Sequence, residues 1–124
     1  MLSQLEAHAT VPVADLERAR KFYAEKLGLT PERETAGGLR YVCKNSWFVL
    51  FPTSNAGTAK NTAMGWETNN LEAEVAELRA RGVVFEEYDY PTLKTVNGIA
   101  TTGTTKAAWF KDSEGNILGI VQLG

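Results

Sequence analysis

Two side chains in this 124-residue sequence are alone of their kind and chemically capable: one histidine, His8, and one cysteine, Cys43. An imidazole can ligate a metal or move a proton, but a lone histidine on a strand is more commonly hydrogen-bonded to a neighbour. Cys43 lies in an alternating run with no second thiol. That excludes an internal disulfide, fits a reduced compartment, and favours packing over nucleophilic attack. Carboxylates are the other candidates. Glu67 shares a strand face with Ala63 by alternation, and Glu86, Glu87 and Asp89 stand at the start of a long irregular stretch.

These residues are positioned by a pattern that occurs twice. From His8 to Leu29 an alternating apolar run ends at Val13, Asp15 can cap a helix, Leu16, Ala19, Phe22, Tyr23 and Leu27 form one helical face, and Gly28 ends it. A worn copy follows in AMGWETNNLEAEVAELRARGVVF, where Asn69 or Asn70 can cap, Leu71, Val75 and Leu78 form the stripe, and Gly82 closes the helix. Ala63 stands to Asn70 as His8 stands to Asp15, an offset of 63 − 8 = 55 residues. The chain therefore reads as one domain of two tandem modules, 1–52 and 62–124, joined by a linker at 53–61. Half-size modules would be marginal alone and are expected to share a core.

Within the first module the alternation predicts strands at 4–13, 30–35, 39–44 and 47–51, the last apolar on both faces and so expected to be buried on both. In the second it predicts strands at 62–68, 83–87, 106–111 and 116–123. Residues 88–104 show no clear period and are expected to form a lid-like loop carrying Tyr88, Tyr90 and Lys94. With 13 basic and 15 acidic residues and a formal charge of −2, no basic aromatic stripe for nucleic acid is present. No membrane-spanning run or signal peptide is recognisable, and a cytoplasmic location is expected.

The motif V-x-D-L-E-R-A-x-x-F-Y-x-x-x-L-G-L (from Val13), together with F-K-D-S-E-G-N-I-L (from Phe110), resembles the vicinal oxygen chelate superfamily of glyoxalase I, bleomycin-resistance proteins and extradiol dioxygenases. The resemblance implies an α+β fold in which two βαβββ modules curl their sheets around a central cleft. It also implies four metal-ligand positions, which fall here on His8, Val49, Ala63 and Gly119. Only His8 is a ligand type. Three or four N, O or S donors are needed to hold a divalent ion, so no metal and no other cofactor is expected.

If Val49, Ala63 and Gly119 face inward, alternation also turns Trp47, Phe51, Gly65, Glu67, Ile117 and Val121 toward the cleft. With His8 these ten residues would line an apolar and aromatic pocket with room where a metal would have been. Trp66 should pack beneath the second helix, and Trp109 fits either side. The expected function is binding of a small, mostly apolar and aromatic molecule without metal, as in the bleomycin-resistance branch. The alternatives are a metal-dependent lyase or dioxygenase with displaced ligands, starting from His8 and Glu67, and a domain whose cleft is filled. A homodimer is expected, because curled sheets leave edge strands and relatives often dimerise to complete two clefts.

Overall fold

The two helices begin where the short polar caps stand. In the computed structural model, which describes all 124 residues, the Asp15 carboxylate accepts from the Arg18 N–H to start α1 (Leu16–Leu27), and Gly28 ends it at φ 70°. Asn70, not Asn69, caps α2 (Leu71–Ala80) by accepting from the Ala73 N–H, and Gly82 follows its last turn. The caps are 70 − 15 = 55 residues apart, the spacing of the sequence repeat.

Each helix belongs to its own sheet. The first contains β1 (Ala9–Val13), β2 (Arg33–Thr35), β3 (Gly38–Cys43) and β4 (Ser46–Pro52) in the order β1-β4-β3-β2. The second contains β5 (Thr62–Glu67), β6 (Asp89–Tyr90), β7 (Leu93–Val96), β8 (Ile99–Thr102), β9 (Thr105–Lys111) and β10 (Ile117–Gln122) in the order β5-β10-β9-β8-β7-β6. In both, the first strand runs parallel to the last and the remaining pairs are antiparallel. The fold is α+β, a tandem βαβββ arrangement whose second copy is enlarged. Neither helix is long and apolar enough to cross a membrane.

One face of each sheet is buried in a common cluster of 16 residues. Val11, Leu39, Tyr41, Phe48 and Leu50 come from the first sheet, Ala108, Phe110, Leu118 and Ile120 from the second, and Ala19, Tyr23, Leu71 and Val75 from the helices. Tyr41 stacks on Phe48 at 5.0 Å, and Phe48 meets Trp66 edge-on at 6.3 Å across the modules.

The turn between β9 and β10 fastens this core with polar groups, beyond the simple hairpin role its residues suggest. Asp112 accepts from the Tyr23 hydroxyl at 2.8 Å, from the Asn116 amide at 3.0 Å, and from the N–H groups of Glu114 and Asn116. Asn116 also donates to the Pro12 carbonyl. Glu114, its side chain fully buried, accepts from the N–H groups of Ala14 and Asp15, the Arg18 guanidinium and the Ser113 hydroxyl. The Arg18 hydrogen bond is the main cause that holds its carboxyl down at about 2, against the opposing effect of burial.

The structure departs from the strand expectations in four places. The first strand begins at Ala9, and Leu2–Gln4 forms a single 3₁₀ turn instead. The expected strand at 30–35 shortens to the fully exposed Arg33–Thr35. β4 is fully buried on one face only: on the other, Trp47 and Val49 are half-buried, Trp47 under His8 and Arg40, and Phe51 is 44% exposed. Residues 83–87 reduce to a bridge between Phe85 and Phe110, and 88–104 is no loop but three short strands extending the second sheet. Strands of two to four residues are too brief for alternation to register. The overlooked signal is Asn97-Gly98, at φ 52° and 80°, the residue pair that favours a two-residue hairpin turn.

Candidate ligand-binding site

The faces turned away from the core are where a ligand could meet apolar surface. On the first sheet, Trp47, Val49 and Phe51 alternate with the buried Phe48 and Leu50, and cross-strand pairing sets Val42 beside Trp47, Arg40 and Thr10 beside Val49, and Pro12 beside Phe51. The His8 imidazole stacks on Trp47 with centroids 3.7 Å apart and planes 12° from parallel. The Arg40 guanidinium lies 4.4 Å from the same indole. The lone histidine is thus spoken for by an aromatic neighbour, and Trp47 already has intramolecular contacts on its ring.

On the second sheet, pairing aligns Gly65 with Gly119, Glu67 with Val121, Gly119 with Trp109, and Ile117 with Lys111. Ala63, Gly65 and Glu67 lie exposed on the edge strand β5. A Cβ on Gly119 would stand 3.2 Å from the Trp109 indole, so the space left by glycine is where that ring lies. Tyr88 meets Trp109 edge-on at 5.6 Å and stacks on Tyr90 at 6.0 Å. These three rings, with Leu93 and Ile117, wall a cavity of about 530 Å³ whose polar edge carries Lys60, Lys111 and Glu86. Lys111 and Glu86 are 3.7 Å apart.

Burial, reinforced by Glu86 and Tyr90, raises the Tyr88 hydroxyl above its ordinary range, which keeps it a neutral hydrogen-bond donor. Glu87 is committed elsewhere. It accepts from the Thr95 hydroxyl at 2.6 Å and the Gly98 N–H at 2.7 Å, contacts that hold the β7–β8 hairpin and lower its carboxyl.

The four positions implied for a metal do not fit one. Val49, Ala63 and Gly119 offer no donor atom, the indole of Trp109 lies over Gly119, and His8 is stacked on Trp47. No three His, Cys, Asp or Glu side chains come together anywhere in the chain.

The ten residues expected to line one pocket are distributed over two open faces. His8 joins Trp47, and Gly65, Gly119 and Val121 are neighbours, but the principal cavities divide the set: Ile117 lines the aromatic one, Trp47 a shallow hollow with Arg40 and Glu6, and Glu67 a groove between the modules. Sequence reasoning did not assign Trp109, Leu93, Lys60 or Lys111. The alternation of Ala107, Trp109 and Lys111 against the buried Ala108 and Phe110 would have placed the tryptophan on the open face.

A family model, Glyoxalase/Bleomycin resistance protein/Dioxygenase superfamily, matches residues 7–120. No curated protein matches the chain. Among solved structures, UcmS2 is similar at 21% identity and TM-score 0.73, covering 94% of this chain and 96% of its own. TnmS3, an antibiotic binding protein from Streptomyces sp. CB03234, is 26% identical at TM-score 0.67, with 97% and 96% covered. A glyoxalase / bleomycin resistance protein from Catenulispora acidiphila is 18% identical at TM-score 0.70, with 97% and 99% covered.

Proposed function

The chain belongs to the glyoxalase/bleomycin resistance protein/dioxygenase superfamily, and from that premise we propose that it binds a small, mostly apolar and aromatic molecule without a metal, sequestering or carrying it. The observation that carries this reading is the wall of Tyr88, Tyr90 and Trp109 beside a cavity of about 530 Å³. That size is within the range of small-molecule sites, and aromatic walls with a few polar groups suit a flat ligand. TnmS3, similar over nearly its whole length, is an antibiotic binding protein.

The same reading makes the working unit a homodimer. A second copy would lay an open face bearing Trp47, Val49 and Phe51 against the aromatic cavity, bringing the divided residues into one cleft and covering Phe51 and Val42, which are 44% and 46% exposed in a single chain. The test is a fluorescence titration with planar heteroaromatic compounds, paired with sedimentation and elemental analysis. Saturable quenching by protein holding less than about one tenth of an equivalent of transition metal is the expected result. Near-stoichiometric zinc, iron, manganese or nickel would overturn the metal-free reading.

A further inference from the structure

We propose a second binding site, in the groove between the two modules, for a small apolar cation: a protonated amine on an aryl or alkyl body. The groove encloses about 390 Å³ at one end of the shared core. Leu27 and Leu29 from the first module face Trp66 and Leu78 from the second, and the buried Phe110 and Ile120 form its floor. The groove is open to solvent along its rim and reaches core residues at its floor, a depth and volume within the range of small-molecule sites.

The charge of the lining selects the occupant. Glu67 and Glu74 stand at its rim, no lysine, arginine or histidine lines it, and neither carboxylate takes part in any ion pair of the chain. An apolar body released from water onto the leucines and Trp66 would leave an ammonium beside both carboxylates, with the indole face as further support. A carboxylate on the same body would meet two like charges. This site shares no lining residue with the aromatic cavity, and meets the hollow beside Trp47 only at Val42.

Cys43, the chain's only cysteine, lines the groove and reports on it. The probes are 4-phenylbutylamine, 4-phenylbutanol and 4-phenylbutyrate, one body with three head groups. Each is titrated against the rate of Cys43 alkylation by iodoacetamide, and against emission of a Trp47→Phe, Trp109→Phe protein in which Trp66 is the sole tryptophan. The amine should slow alkylation and shift Trp66 emission saturably at about one fifth the concentration the alcohol needs, a difference appropriate to an exposed, screened ion pair. The butyrate should do neither. Glu67→Gln with Glu74→Gln, both exposed positions, should bring the amine down to the alcohol's affinity while the circular dichroism spectrum stays unchanged. Equal binding of all three probes, an amine affinity indifferent to the two Gln substitutions, or Cys43 protection that follows protein concentration and ignores the amine would overturn the proposal. The last result would mean that a second copy covers the groove.

Discussion

Strand β9 and the turn that follows it separate two surfaces built on opposite terms. In the turn, Asp112, Glu114 and Asn116 are buried polar groups, each hydrogen-bonded to the other module: Asp112 to Tyr23, Asn116 to Pro12, and Glu114 to Ala14, Asp15 and Arg18. On the open side of the strand, Trp109 and the two tyrosines present aromatic surface to a cavity. Residues three apart in the sequence therefore do unrelated work. Buried polarity that is fully partnered fixes how the modules sit, whereas aromatic surface left uncovered is free to choose a ligand.

Asp112→Ala attacks the first surface hardest. It removes the acceptor of the Tyr23 hydroxyl and of two backbone N–H groups and one of the two bonds of the Asn116 amide, so a loss of about 3–4 kcal/mol in urea denaturation is expected. A loss under about 1 kcal/mol would show that the turn is only a hairpin.

Glu114→Gln comes next, at about 2–3 kcal/mol near neutral pH. Because folding depresses the Glu114 carboxyl from 4.5 to about 2, its contribution is present above the ordinary carboxylate range and is lost as pH falls from there toward the folded value. Wild type should therefore lose stability across that acid window, and the variant should lose less. Parallel acid curves for the two proteins would sink the assignment.

Substitutions on the open faces should move binding more than folding. Trp109→Ala is expected to weaken a planar aromatic ligand about ten-fold to a hundred-fold, by removing 1–3 kcal/mol of contact. Trp47→Ala should match it only in a dimer that brings both faces to one ligand; equal affinity in wild type and Trp47→Ala would leave the second sheet to bind alone. His8→Ala has the smallest expected effect, about 1 kcal/mol or less in binding, since its imidazole stacks on an indole that itself faces the ligand.

Caps, glycine stops and the 55-residue repeat were legible because each is a local signal: an Asp or Asn oxygen reaching an N–H three residues on needs no distant partner. The Asp112–Asn116 fastening was not, since its bonds to Ala14 and Pro12 span about a hundred residues, and nothing near Glu114 in the sequence announces Arg18. Apolar residues on both faces of β4 were read correctly as a pattern and wrongly as burial, because sequence does not state what covers a face. Likewise Gly119 signalled missing bulk, but only coordinates show that a cross-strand indole takes the space.

The fastening between residues 12–18 and 112–116 also bears on how far the covalent chain is needed at all. The sole peptide passage from the first sheet to the second runs through the mostly exposed segment 53–61, while the modules are joined by a common core and a set of buried hydrogen bonds. Proteolytic nicking near Ser54 or Asn55 should therefore leave the halves together as a complementing pair. Expressed as separate polypeptides, they would form a split protein whose reassembly depends on Glu114 finding Arg18.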